Sequence, residues 1–148
     1  MKKKVVMFMP SIEGGGVEKN FFIVANFLSK FKNTTVITIS KKYKNKFLKK
    51  IEFVTLDSEI WDKLSRRVKY FLALFLLIKQ IFKNREIIVF SFQANIYAIL
   101  ICKLFSIKII SRSNSAPFGW SKNFLKKNLF KFFLNVSDKV MVNSLELK

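Results

Sequence analysis

Histidine is absent from the 148 residues, and cysteine occurs once, at Cys102. Without histidine the chain has no Ser-His-Asp or Cys-His nucleophile and no imidazole metal ligand. One cysteine cannot form an internal disulfide, and no zinc site is expected. Acidic residues number nine against 28 lysines and arginines, a formal net charge of +19. Candidates for a carboxylate base are therefore few: Glu13, Glu18, Asp57, Glu59, Asp62, Glu86 and Asp138. Long apolar runs are also missing. The longest uncharged one, Tyr70 to Ile78, falls far short of the ~20 residues of a membrane-spanning helix. Ile96 to Cys102 is shorter and is closed by Lys103. Met1-Lys2-Lys3-Lys4 imitates the start of a secretory signal, but its apolar core is brief. Glycines and a charged helix follow where a cleavage site would stand. No transmembrane helix is expected.

Hydrophobic residues make up 51% of the chain, enough for one domain with a sizeable core. The lone buried-type cysteine fits a reducing compartment. The positive charge points to nucleic acid, anionic lipid or an acidic substrate. It is equally what AT-rich codon usage would leave on a solvated surface, since lysine, phenylalanine, isoleucine and asparagine are all abundant.

Glycine is scarce too, at four residues, yet three of them stand together in Pro10 to Lys19, PSIEGGGVEK. The apolar run Val5 to Met9 precedes them and reads as a buried strand. Val17, Phe21, Val24, Ala25 and Leu28 follow at helical spacing. Gly14, Gly15 and Gly16 thus form a turn from a first strand into a first helix. A helix start offers unpaired N–H groups and partial positive charge, which suits a phosphate. The spacing matches neither the dinucleotide fingerprint, whose third glycine would fall at Lys19, nor a P-loop. The same glycines would serve as a plain strand-to-helix turn.

The remaining pattern alternates. Strands are expected at Lys2–Met9, Thr34–Ser40, Ile51–Leu56, Glu86–Ser91, Ile107–Ser111 and Asp138–Val142. Helices are expected at Val17–Phe31, Asp62–Lys83, Gln93–Phe105 and Gly119–Asn135. Leu64, Val68, Phe71, Phe75, Ile78 and Phe82 set the expected buried face of the long second helix. Five further apolar residues widen that stripe until it nearly encircles the helix. Lys41 to Lys50 is a short basic helix or loop. Most strands are continuously apolar, which predicts an α/β fold: a doubly wound parallel sheet with helices on both faces.

In such sheets ligands sit beyond the carboxyl ends of the strands. Those ends carry Gly14 to Gly16, Ser40, Ser91 to Asn95, Arg112 to Asn114 and Asn143-Ser144. Arg112 can fork onto an anion, and Gln93, Asn95 and Asn114 suit hydroxyl groups. Each of them can also simply cap a loop.

These residues resemble a family. PSIEGGGVEKNFFIVANFL is similar to the first strand, turn and helix of family 4 glycosyltransferases, which often read G-G-x-E there. SFQANIYAIL and IISRSNSAPFGW resemble later strand ends of sugar transferases that build bacterial surface polysaccharides. DKVMVNSLELK resembles the segment that precedes closure of their amino-terminal domain. The resemblance implies a GT-B fold, two Rossmann-like domains with the reaction between them, of which residues 1–148 would be an incomplete amino-terminal, acceptor-side half. It implies a nucleotide-sugar donor whose diphosphate meets Gly14, Gly15 and Gly16. It implies a lipid-linked or saccharide acceptor held by Gln93, Asn95, Arg112 and Asn114. No metal or other cofactor is expected, and the missing carboxyl-terminal donor domain would be a partner. Many relatives place a histidine near the reacting sugar, and this chain has none, so the catalytic residue is unassigned.

The expected location is the cytoplasm, extending to the inner face of the cell membrane. Lysines interleaved with Tyr43, Phe47, Leu48, Phe124 and Phe132 predict peripheral attachment to an anionic membrane surface. The alternative is a non-catalytic basic module on membrane or nucleic acid. No recognised nucleic-acid motif accompanies the charge, so nucleic acid is not expected. A nucleotide-binding enzyme of another doubly wound class is a third reading, weakened by the absent fingerprint.

Overall fold

The computed structural model describes residues 3–56, 59–113 and 124–142. Six strands form one sheet: β1 (Lys4–Phe8), β2 (Thr34–Ile37), β3 (Glu52–Val54), β4 (Ile87–Ser91), β5 (Lys108–Arg112) and β6 (Lys139–Met141). Their order across the sheet is β3-β2-β1-β4-β5-β6, and every neighbouring pair is parallel. Four helices connect them: α1 (Gly16–Leu28), α2 (Arg66–Lys83), α3 (Asn95–Leu104) and α4 (Phe124–Val136). This is the doubly wound α/β arrangement that the alternating apolar runs predict.

Strand alternation divides the core in two. Val6, Phe8, Ile37, Ile39, Val89 and Ile109 face α2, α3 and α4. Met7, Met9, Val36, Phe90 and Phe92 face α1. On that second side Phe21 packs edge-on against Phe92 and Phe47, with ring centroids 5.0 and 5.8 Å away. Each such buried aromatic contributes roughly 1.5–3 kcal/mol relative to exposure.

Several boundaries and faces differ from expectation. Helix α2 begins at Arg66, because Glu59–Lys63 forms a separate 3-10 turn. Helix α3 begins at Asn95, because Ala94 takes a left-handed conformation, φ 54°. The buried face of α2 consists of Ala73, Leu74, Leu76, Leu77, Gln80 and Ile81, whereas Val68, Phe71, Phe75 and Phe82 point outward. The small Ala73 lets the helix approach the sheet, and bulky phenylalanines there would hold it off. In the basic segment, Phe47 is buried and Tyr43 packs on Phe22 at 6.0 Å. Those aromatics therefore serve the core, and of that segment's expected membrane-facing groups only Leu48 stays exposed. Residues 119–123, at the expected start of the fourth helix, lie outside the described residues.

Candidate functional site

All six strands run the same way, so their carboxyl ends share one edge. β1 is followed in sequence by β2 on one side and flanked by β4 on the other, which places the topological switch point between β1 and β4. The loops leaving these two strands are tied together. The Ser11 N–H donates to Gln93 Oε1 at 3.3 Å. Below it, the Phe92 N–H donates to the Phe8 carbonyl at 2.9 Å.

The second tie runs from β4 to β5. Ser91 Oγ lies 2.8 Å from Asn95 Oδ1, and Asn95 Nδ2 donates to the Arg112 carbonyl at 2.6 Å. Asn95 thereby fixes the start of α3 to the end of β5. Arg112 is almost wholly buried, at 2% exposure. Its guanidinium lies over the Phe92 ring, 4.9 Å from the centroid, and Nη1 donates to the Val17 carbonyl at 3.4 Å. Burial lowers its pKa from the ordinary arginine value. A cation–π contact and a carbonyl offset part of that desolvation.

Gln93, Asn95 and Arg112 line one cleft of about 360 Å³, together with Arg66, Tyr70, Tyr97 and Ser113. Sequence reasoning missed Arg66, Tyr70 and Tyr97, whereas Ser113 falls within the expected strand-end stretch Arg112 to Asn114. Arg66 and Tyr70 stand four apart on α2, a spacing that puts both on one face near its start. That signal was available but was hidden inside an apolar run. Asn114 and Asn143-Ser144 lie outside the described residues. Ser40 is buried and its hydroxyl accepts from the Lys42 N–H, a local turn rather than a wall of the cleft.

The glycine turn lines a different recess. Gly14 and Gly15 border a depression of about 420 Å³ with Lys19, Phe22, Ile23, Tyr43 and Lys46. Gly15 is the residue before α1 and makes no side-chain cap. The first N–H groups of α1 therefore open toward this exposed turn. Gly14 has φ +98°, and a Cβ there would stand 3.1 Å from the Tyr43 hydroxyl. At Gly15 a Cβ would meet the Glu18 carboxylate at 2.8 Å. Gly16 has open space, and at Gly15 the carboxylate end of Glu18 would have to shift, so the backbone demands glycine at Gly14 alone. The Glu18 carboxylate complements part of the helix-start charge.

No protein-family model and no curated protein matches the sequence. Solved structures do. HepE from Anabaena, determined with UDP and glucose, aligns over 96% of this chain and 38% of its own, with TM-score 0.61 and 14% identity. MurG from Acinetobacter baumannii aligns over 98% of this chain and 42% of its own, with TM-score 0.58 and 17% identity. Both are GT-B glycosyltransferases. The chain has the fold of one GT-B half-domain. It spans less than half the length of either neighbour. Within that half-domain, Gln93, Asn95 and Arg112 line one recess, and Gly14 and Gly15 border another.

Proposed function

We propose that the chain is the amino-terminal, acceptor-side half of a glycosyltransferase. It transfers a sugar from a nucleotide-sugar donor to a lipid-linked or saccharide acceptor in surface-polysaccharide assembly. The observation that carries this reading is the paired recess at the switch point of a GT-B half-domain. The glycine turn, with Lys19 and Lys46 beside it, supplies backbone N–H groups and positive charge for the donor diphosphate. The cleft offers the Gln93 amide for hydroxyls and tyrosine faces for a sugar ring, while the Asn95 amide is engaged by Ser91 and the Arg112 carbonyl. Arg112 is a positioning residue here, since its guanidinium is engaged by Phe92 and Val17.

A donor-side domain completes the site in this reading. The test joins residues 1–148 to such a domain and measures transfer from a panel of nucleotide sugars. Gly15→Val should raise the KM for the donor and leave that for the acceptor unchanged. Gln93→Ala should raise the acceptor KM about tenfold, the worth of one hydrogen bond to a polar ligand. Unaltered kinetics in both variants, or no transfer from any nucleotide sugar, would reject the proposal.

A further inference from the structure

The polar side chains of the cleft beside α2 and α3 divide into those the fold has used and those it has left. Gln93 Oε1 accepts from the Ser11 N–H, and both ends of the Asn95 amide are engaged, by Ser91 and by the Arg112 carbonyl. The Arg112 guanidinium is held by Phe92 and Val17. What remains is the Arg66 guanidinium, Gln93 Nε2 and the hydroxyls of Tyr70 and Tyr97. None of these has a hydrogen-bond or ion-pair partner among the described residues. A guanidinium and an amide nitrogen only donate, and a tyrosine hydroxyl donates readily. The side-chain amide oxygens of the cleft are thus spent on the protein, while its donors are left for a ligand.

The charge of the cleft has one sign. Among the described residues no carboxylate lines it. Arg66 stands in the first turn of α2, which holds no acidic residue to compete for the guanidinium. That guanidinium lies over the Tyr70 ring, 5.8 Å from the centroid. The ring steadies the cation, and the planar fork stays ready for an oxyanion, two N–H groups at a time. Tyr97, on α3, is 51% exposed and offers an apolar ring surface to the C–H face of a sugar. The volume of about 360 Å³ suits a small ligand rather than an extended chain.

We propose that this cleft selects a pyranose that carries an anionic substituent, with the sugar ring against Tyr97 and the anion on Arg66 and Gln93 Nε2. The carboxylate of a uronic acid and the phosphate of a glycosyl phosphate present this same chemistry. The proposal rests on the reading of the cleft as the acceptor site and narrows it, from saccharides in general to acidic ones. A neutral sugar would leave the Arg66 guanidinium without a partner. A simple anion would leave the Tyr97 ring uncovered.

The test uses residues 1–148 as they stand, with binding followed by protein-observed NMR. The ligands are methyl glucoside, methyl glucuronide, the uncharged methyl glucuronamide, a glucosyl phosphate and acetate. The charged sugars should bind about tenfold tighter than methyl glucoside, the worth of one charge-assisted hydrogen-bonded contact, and should shift the signals of Gln93 and Tyr97. Methyl glucuronamide should bind no tighter than methyl glucoside, a control that leaves the protein untouched. Acetate should bind far more weakly than methyl glucuronide. Arg66→Gln should reduce the affinity for methyl glucuronide to that for methyl glucoside. Arg67→Gln, one residue along but not lining the cleft, should keep the preference and so exclude the general positive charge of the chain. The tighter of the two charged sugars identifies carboxylate or phosphate as the recognised group. Equal affinity for methyl glucoside and methyl glucuronide, with shifts at Gln93 and Tyr97, would overturn the proposal and leave the acceptor reading in place. No shift in the cleft with any sugar would overturn both. A preference that survives Arg66→Gln, or acetate binding as tightly as methyl glucuronide, would also overturn the proposal.

Discussion

Gly14 and Gly16 stand two residues apart and make opposite demands. Gly14 is held at φ +98° with the Tyr43 hydroxyl close by, while Gly16 opens α1 with free space around it. Gly14→Ala should therefore destabilise the domain by about 1–2 kcal/mol, because an L-residue is strained there. Gly16→Ala should be neutral or stabilise by up to about 0.5 kcal/mol through a stiffer unfolded chain. Urea unfolding midpoints of the two variants check this, and equal losses would contradict the assignment. The sequence places all three glycines in the turn but cannot rank them. The ranking comes from Tyr43 and Glu18, which only the folded chain brings alongside. Arg112 teaches the same lesson. Its position at a strand end is readable, but its burial against Phe92 and Val17 depends on α1 packing beneath it.

Helix α2 shows why the strands were easier to read than the helix faces. Continuous apolar runs such as IIVFS fix a buried parallel strand regardless of which face is which. On α2, apolar residues occur all round, so the i, i+3, i+4 pattern fits two opposite stripes equally well. The phenylalanine stripe scores as highly as the stripe of Ala73, Leu77 and Ile81 that the sheet selects. The inward face also carries Gln80, whose Nε2 is buried with no partner among the described residues. Gln80→Met removes that unpaired donor at similar volume. It should stabilise the domain by about 1 kcal/mol, read as a higher unfolding midpoint. Asp138, just before β6, provides a pH handle. Burial raises its pKa, but the Ile109 N–H at 2.8 Å and Lys103 at 2.9 Å more than offset this, leaving it below the usual carboxylate value. Glu52 is also lowered, first through its bond from Lys4. A carboxylate with a depressed folded pKa stabilises above its unfolded pKa, and that contribution fades as pH falls through the folded value. Stability should be flat from neutral to about pH 5 and fall below about pH 4. Asp138→Ala should cost about 1 kcal/mol at pH 7, a modest figure for a partly exposed pair, and progressively less as pH falls below about 4. A constant cost across that range would show that the carboxylate is not what holds β6 in place.

Across the whole molecule, the two recesses lie along one edge of the sheet, and nothing among the described residues closes over them. The walls present are backbone N–H groups, amides and cations, which position and neutralise a ligand but hold no residue assigned to proton transfer. Catalysis by positioning and charge stabilisation requires donor and acceptor to be fixed together in a site shielded from water. A single half-domain, with open recesses of about 360 and 420 Å³, supplies one wall of such a site. Residues 1–148 alone should therefore bind an acceptor-like saccharide weakly and show no measurable transfer or hydrolysis of any nucleotide sugar. Joined to a donor-side domain, the same residues should turn over. The discriminating experiment runs both proteins against one panel of nucleotide sugars, with binding followed by protein-observed NMR and turnover by release of nucleoside diphosphate. Perturbed signals at Gln93 and Tyr97 without turnover match a lone acceptor wall. Robust turnover by the 148 residues alone would mean that the whole active site is contained within them. The carboxylate base would then have to be sought among the few acids near the switch point, Glu13 and Glu18 first.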